Sequence, residues 1–424
     1  MNTLAAAPAW RGGWAQGLAY GGLGLPLAFV ALPLYVVLPN HYASEFGIPL
    51  ATLGALLLGA RLLDALADPL IGRWADGWLA HSARRVLVAA VLAGLLLALG
   101  FRGLFFPPVD SGAALLVWCT ALLALTYLSY SVLAVLHQAW GARLGGGEDQ
   151  RAGIVAWREG LALVGVLVAS VLPSLAGLSV TSGVFALTLL LGLALLAVAP
   201  RPEVGGRMAN AYSLLQPLQT PAFVRLLAVY LVNGVAAAVP ATLVLFFIRD
   251  RLQAQAFEPL FLASYFAAGA LSMPLWVRAV ARLGLVRSWL AGMALAVFTF
   301  AWAAALGPGD VLAYTVVCLA SGVALGADLT LPGALLAGVI QRAGHGQRLE
   351  GAYFGWWNFC TKLNLALAAG LALPLLGLAG YTPGARDAQA LQALTLAYCL
   401  LPCLLKLLAA ALLWRLWLNP EIHR

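Results

Sequence analysis

The sequence predicts an all-α integral membrane protein of twelve transmembrane helices in two six-helix bundles, and three observations predict it. Of its 424 residues, 63% are hydrophobic and only 9% charged, whereas an average soluble domain carries roughly 25% charged residues. The apolar residues form stretches of about 20 divided by short polar breaks, the length a helix needs to cross a hydrocarbon slab about 30 Å thick. Lysine and arginine are also spread unevenly over alternate loops, as membrane topology requires.

Hydropathy windows place helices at 17–39, 49–72, 86–106, 112–142, 153–175 and 179–199, and again at 222–248, 257–282, 286–306, 310–340, 350–379 and 388–418. The polar stretch 200–221, with Arg201, Glu203 and Arg207, reads as a cytoplasmic linker between bundles 1–199 and 222–424. Residues 7–17 are polar and run straight into a first helix long enough to span, which argues against a cleaved signal.

Arg102, Arg249, Arg251 and Arg386 fall on one side of the membrane, and nearly all other arginines fall on the opposite side. The expectation is a multi-pass protein of the cell inner (plasma) membrane with both termini cytoplasmic. The formal charge of +8 therefore reads as topology, and no nucleic-acid partner is expected. Cys119, Cys318, Cys360, Cys399 and Cys403 lie in apolar stretches without paired spacing and read as small core residues.

The loop Gly72-Arg73-Trp74-Ala75-Asp76-Gly77, closing with Arg84-Arg85, is echoed weakly by Arg278, Arg282, Gly284 and Arg287. Parallel six-helix halves are one arrangement from which alternating-access carriers are built.

An ionisable group within a span costs at least about 2.5–3.5 kcal/mol on insertion scales, so each one asks for a function. Arg61, Asp64 and Asp68 follow i, i+3, i+7 spacing and share one face of the second helix. Two carboxylates a turn apart beside one cation can hold a proton, or a Na⁺ through oxygen ligands. The same set also reads as a structural ion-paired knot, and Pro69 and Gly72 as a plain helix end.

Lys362 lies mid-span in the eleventh helix, where it faces a carboxylate of another helix, the second-helix acids first among them, or a wet cavity, or else snorkels to the interface. Lys406, nearer the end of the twelfth, reads as snorkelling. Asp328, among glycines and Pro332, is either a gate or a cap. Tyr127, Ser129, Tyr130, Ser131, His137 and Gln138 on the fourth helix, and Asn233 and Thr242 on the seventh, either line a cavity or bond neighbouring helices.

Three stretches resemble the glycoside, pentoside and hexuronide cation symporters, the melibiose-permease-like family of the major facilitator superfamily. Arg61 to Gly72, continuing to Asp76, is similar to its R-x-x-D-x-x-x-D-P-x-x-G-x-x-x-D signature. Gly326 to Pro332 is similar to G-A-D-x-x-L-P, and Arg348 to Lys362 to the entry of its eleventh helix.

The resemblance implies the major facilitator fold and cation-coupled symport of a small organic solute, a sugar or glycoside first and a lysolipid or other amphiphile second. It makes Asp64 and Asp68 the cation carboxylates, tuned by Arg61 and answered by Lys362. Asp76, Arg84, Arg85, Arg158, Asp328, Arg348 and Glu350 become gating or domain-contact residues. Tyr127, Tyr130, His137, Gln138, Asn233, Trp356, Trp357 and Asn358 become cavity candidates.

No cofactor is implied beyond a coupling ion, H⁺ or Na⁺, with Na⁺ at Asp64 and Asp68 as the one metal. The partners expected are the solute and the bilayer, for a monomeric chain.

Two departures matter. Ala67 stands where the melibiose permease has an asparagine, which tilts the ion toward H⁺. Neither 17–39 nor 111–141 carries an acid, which makes a galactoside doubtful.

An intramembrane aspartyl protease would need carboxylates converging from different helices. A channel would need a repeated ring of charges. Neither pattern is present, and no enzyme activity is expected.

Overall fold

The structure, a computed structural model, describes residues 10–109, 111–202 and 212–418. Every regular element among them is helical. Eight helices are long and apolar enough to cross a membrane: Trp14–Phe46, Ala83–Phe105, Gly112–Ala142, Glu148–Val198, Pro221–Arg251, Gln255–Ala303, Val311–Arg342 and Ala388–Trp417. Leu50–His81 and Glu350–Leu378 complete the long helices.

Two of the eight are interrupted. Gly177 (φ 77°, ψ 170°) breaks Glu148–Val198, and Gly284 (φ 78°, ψ 168°) breaks the helix ending at Ala303. This backbone region is open essentially to glycine, since a Cβ would collide with the chain. Both breaks fall in gaps the hydropathy windows leave, and with them residues 14–198 hold six helical rods and residues 221–417 six more.

The chain forms two compact units, Met1–Gln219 with Ala337–Phe359, and Thr220–Leu336 with Cys360–Arg424. Within the first, Phe29 stacks on Phe185 at 5.8 Å and Phe101 lies 4.6 Å from the same ring. Along Leu50–His81 the pattern is inverted relative to a soluble helix. Leu62, Leu66 and Leu70 are exposed, while Asp64, Asp68, Ile71 and Ala75 are buried. Leucine outside and aspartate inside is stable only where lipid is the solvent.

Gly72, Gly351 and Gly355 let this helix touch the start of Glu350–Leu378 through backbone. A Cβ on Gly351 would lie 2.3 Å from the Gly72 carbonyl oxygen, and one on Gly355 2.5 Å from that of Asp68. Small residues four apart are how membrane helices approach this closely.

In the second unit Phe247 stacks on Tyr398 at 4.3 Å and Phe261 meets Tyr314 edge-on at 4.8 Å. The hydroxyls of Tyr314 and Tyr398 bond each other at 2.6 Å, which keeps two polar atoms satisfied inside an apolar core.

Some expected boundaries shift. The loop expected at 72–77 is helical through His81, because Ala75, Asp76 and Leu79 continue the buried stripe and Gly72 serves close approach, not a turn. The break comes at Ser82, whose extended backbone caps the next helix by accepting from the Arg85 N–H at 3.1 Å. The first helix runs on past residue 39 to Phe46 through a π-helical turn at Pro33–Val37 and stops at left-handed Gly47. Residues 203–211 of the expected linker lie outside the described residues, and Gln216–Gln219 form a short 3₁₀ turn.

Candidate functional site

Three charged clusters are built on these helices. The first lies on Leu50–His81. Asp64 is 4% exposed and accepts a hydrogen bond from Ser131 Oγ at 2.5 Å, and Asp68 one turn on is fully buried. Arg61 places its guanidinium 3.8 Å from the centroid of the Tyr35 ring, a cation–π contact. Tyr35 in turn lies 6.2 Å from the ring of Tyr127.

The π-helical turn that carries Tyr35 is the feature sequence reasoning missed here. A proline at residue 33 inside a predicted span was its one available signal. Arg61 itself is exposed, and two buried acids a turn apart suit capture of a small cation.

The second cluster sits where Leu50–His81, Gly112–Ala142 and Glu350–Leu378 end or begin, within the first unit. Asp76 accepts from the backbone N–H groups of Gly351 at 2.7 Å and Ala352 at 2.8 Å, so a carboxylate closes a helix N-terminus. Arg143, buried, donates to Glu350 Oε2 at 2.8 Å and to Asp76 Oδ1 at 3.3 Å. Arg143 was counted for topology and not as a site residue. That two candidate gating acids, Asp76 and Glu350, needed a common base was the signal that could have found it.

In the turn leading to Glu350, His345 Nδ1 meets the Tyr353 hydroxyl at 2.7 Å. Partial burial, with Arg348 nearby, pushes the His345 imidazole below its ordinary range.

The third cluster is in the second unit. Lys406 is 5% exposed, bonded to Asn233 Oδ1 at 2.8 Å and ion-paired with Asp328 Oδ2. Asp328 Oδ1 also accepts from Asn233 Nδ2 at 3.1 Å and Trp289 Nε1 at 3.0 Å. Lys406 therefore does not snorkel. It lies eleven residues before Trp417, about 16 Å from that helix end at 1.5 Å per residue, too deep for its stem to reach water. The cluster borders a cavity of about 430 Å³ formed by residues of the second unit.

Apart from Tyr127, which lies beside the first cluster, the remaining candidates take other places. Lys362 is half-buried in the second unit. Arg84, Arg85 and Arg348 are exposed, and Arg158 is buried and paired with Glu159 at 2.6 Å. His137 Nε2 meets the Tyr20 carbonyl at 2.7 Å while the Tyr20 hydroxyl donates to the His137 carbonyl at 3.0 Å, a reciprocal tie between helices. Trp356 donates to the Leu214 carbonyl at 3.0 Å. Tyr127 and Trp357 are buried, and Tyr130, Gln138 and Asn358 half-buried. Among the described residues no group of three or more metal-ligating side chains forms.

The model of the MFS/sugar transport protein family matches residues 17–420. The inner membrane symporter YicJ of Escherichia coli strain K12 is 28% identical over 159 residues, 37% of this chain and 33% of that protein, so the match spans about a third of the relative's length.

A bacterial homologue of the iron transporter ferroportin in its outward-facing state superposes with a TM-score of 0.70 at 18% identity, covering 96% of this chain and 99% of that one. The transporter FucP in its outward conformation gives 0.66 at 13%, covering 93% and 98%. The human organic anion transporter MFSD10 gives 0.65 at 17%, covering 95% and 100%. At these identities the structures speak for the fold alone, which is the major facilitator fold. With a family match running from the first helix to the last, the chain belongs to the MFS/sugar transport protein family, a family of transport proteins and not of enzymes.

Proposed function

We propose that the chain is a secondary active transporter that carries a small organic solute into the cell by symport with a cation, H⁺ or Na⁺, through alternating access. One observation carries the reading: Asp64 and Asp68, a turn apart on one helix, are 4% and 0% exposed. Such acids are costly at that depth unless an ion or proton compensates them, so loading of the site can be tied to a change of state.

In this reading Arg61 tunes the carboxylates, and the Asp76–Arg143–Glu350 cluster holds a helix junction that the transport cycle releases. The naming of YicJ as a symporter supports coupling, and the family description supports a sugar. A solute with an apolar body is the second reading, favoured by the aromatic cavity of the second unit. The protein acts in the inner membrane with both termini cytoplasmic.

The test is transport by purified protein in sealed vesicles under an imposed pH or Na⁺ gradient. Asp64→Asn and Asp68→Asn each abolish uphill accumulation and leave the melting temperature within a few degrees of the parent. Undiminished uphill uptake by both variants removes these acids from the mechanism.

A further inference from the structure

The cavity of about 430 Å³ in the second unit is drug-sized and bordered by Phe261, Tyr265, Phe266, Phe300, Tyr314 and Tyr398. Among its polar groups, Tyr230 and Thr361 bond each other at 2.8 Å and Ser321 bonds the Cys318 carbonyl, which leaves Asp328, Lys406 and Asn364 to consider. Asp328 already receives three hydrogen bonds, from Lys406, Asn233 and Trp289, so an incoming cation finds a satisfied acid. Lys406 has three N–H donors, and the Asn233 and Asp328 side chains take two of them. Among the described residues no third acceptor takes the remaining donor, and an ammonium bonds an anionic oxygen more strongly than a neutral one.

Asn364 adds an independent observation. It lines the same cavity, is 4% exposed, and its Oδ1 finds no hydrogen-bond partner among the described residues. Buried amide oxygens are rarely left so, because the lost hydration is uncompensated. This oxygen calls for a donor from whatever fills the cavity. A sugar fits poorly, since most of its hydroxyls would meet aromatic and aliphatic wall and lose their hydrogen bonds.

We infer that the second unit's cavity binds a small aromatic carboxylate bearing a hydroxyl donor: Lys406 holds the carboxylate, Asn364 Oδ1 accepts from the hydroxyl, and the aromatic wall packs the ring. The inference rests on the symport reading for its role, where it names the chemical class of the solute, but binding stands without it.

The experiment is ligand-induced stabilisation and equilibrium binding on the detergent-purified full chain. The probes are hydroxyphenylpropionate, phenylpropionate, phenylpropanol, phenylpropylamine and methyl glucoside. A ligand that binds only the folded state raises the melting temperature.

Phenylpropionate binds about tenfold or more tighter than the alcohol or the amine, the scale of one charge-assisted hydrogen bond. Lys406→Met combined with Asp328→Asn removes both charges, keeps the fold and erases that preference. Asn364→Leu erases only the advantage of hydroxyphenylpropionate over phenylpropionate. Ala241→Phe, at an exposed position on the cavity wall, blocks binding while melting like the parent.

Equal binding of acid and alcohol overturns the inference, as does acid binding that survives both the double variant and Ala241→Phe. Protection by methyl glucoside without protection by the acids also overturns it and leaves the symport reading standing. An acid that binds here but is not accumulated by vesicles supports the site and counts against symport of this ligand alone.

Discussion

In the first unit Arg143 is wedged between Asp76 and Glu350 where helices end, and two of the three hydrogen bonds that Asp76 accepts come from backbone N–H groups. In the second unit Lys406 reaches Asp328 from mid-helix, with side chains alone around it and a cavity beside it. The materials decide what each cluster can do.

A guanidinium fork is planar and serves two carboxylates at once, and a helix N-terminus offers fixed donors that no solute displaces. A lysine is a point charge on a flexible stem, and one of its donors is left for a newcomer. On the proposed reading the first arrangement is a latch whose release needs helices to part, and the second is a pair that a ligand could address directly.

The largest expected effect separates the two kinds of pair. Lys406→Met leaves Asp328 charged in an apolar surround and costs about 3–5 kcal/mol, whereas the double variant with Asp328→Asn recovers most of that stability. Denaturation of both variants in the same detergent measures the difference. A single variant as stable as the parent would mean that Asp328 does not depend on Lys406, and the contrast between point charge and fork would fail.

A smaller effect is expected at the latch. Asp76→Asn keeps the shape of the side chain and leaves Arg143 its Glu350 partner, but its one amide oxygen replaces two accepting oxygens, so at least one hydrogen bond to a charged group is lost, about 1.5–3 kcal/mol. Hydrogen exchange at Gly351 and Ala352 reads it locally, and exchange no faster than in the parent would show that the cap is not held by charge.

The sequence disclosed these regions unequally. The helices and the gaps that hold Gly177 and Gly284 were legible, because hydropathy acts locally along the chain. Asp64 and Asp68 were legible as a pair because i, i+4 spacing fixes their common face before any packing is known.

The pairing of Lys406 was hidden from the sequence because its partners, Asp328 and Asn233, lie 78 and 173 residues away in the chain. Arg143 was legible as a charge but not as a bridge, since its two acids come from two other helices. The Tyr35 contact with Arg61 depends on a π-helical turn, which shifts a ring by a fraction of a turn in a way that a 3.6-residue period cannot anticipate.

The smallest effect sharpens the account of the latch through pH. His345 sits in the turn that delivers Glu350 and the helix N-terminus to Asp76, and its imidazole in the folded chain binds a proton less readily than a free one, through burial first and Arg348 second. The unfolded chain takes up that proton near pH 6.5, the ordinary histidine value. Stability is therefore unaffected well above that pH, falls as pH drops through it, and levels off below the depressed folded value. His345→Gln keeps a side chain able to bond Tyr353 and removes the titration, so the variant loses less melting temperature than the parent between pH 7.5 and 5. Subtracting one curve from the other cancels every other titrating group. A difference that is flat across this range, or that widens upward instead of downward in pH, would show that the turn accepts the charged imidazole and that the latch is indifferent to protonation beside it.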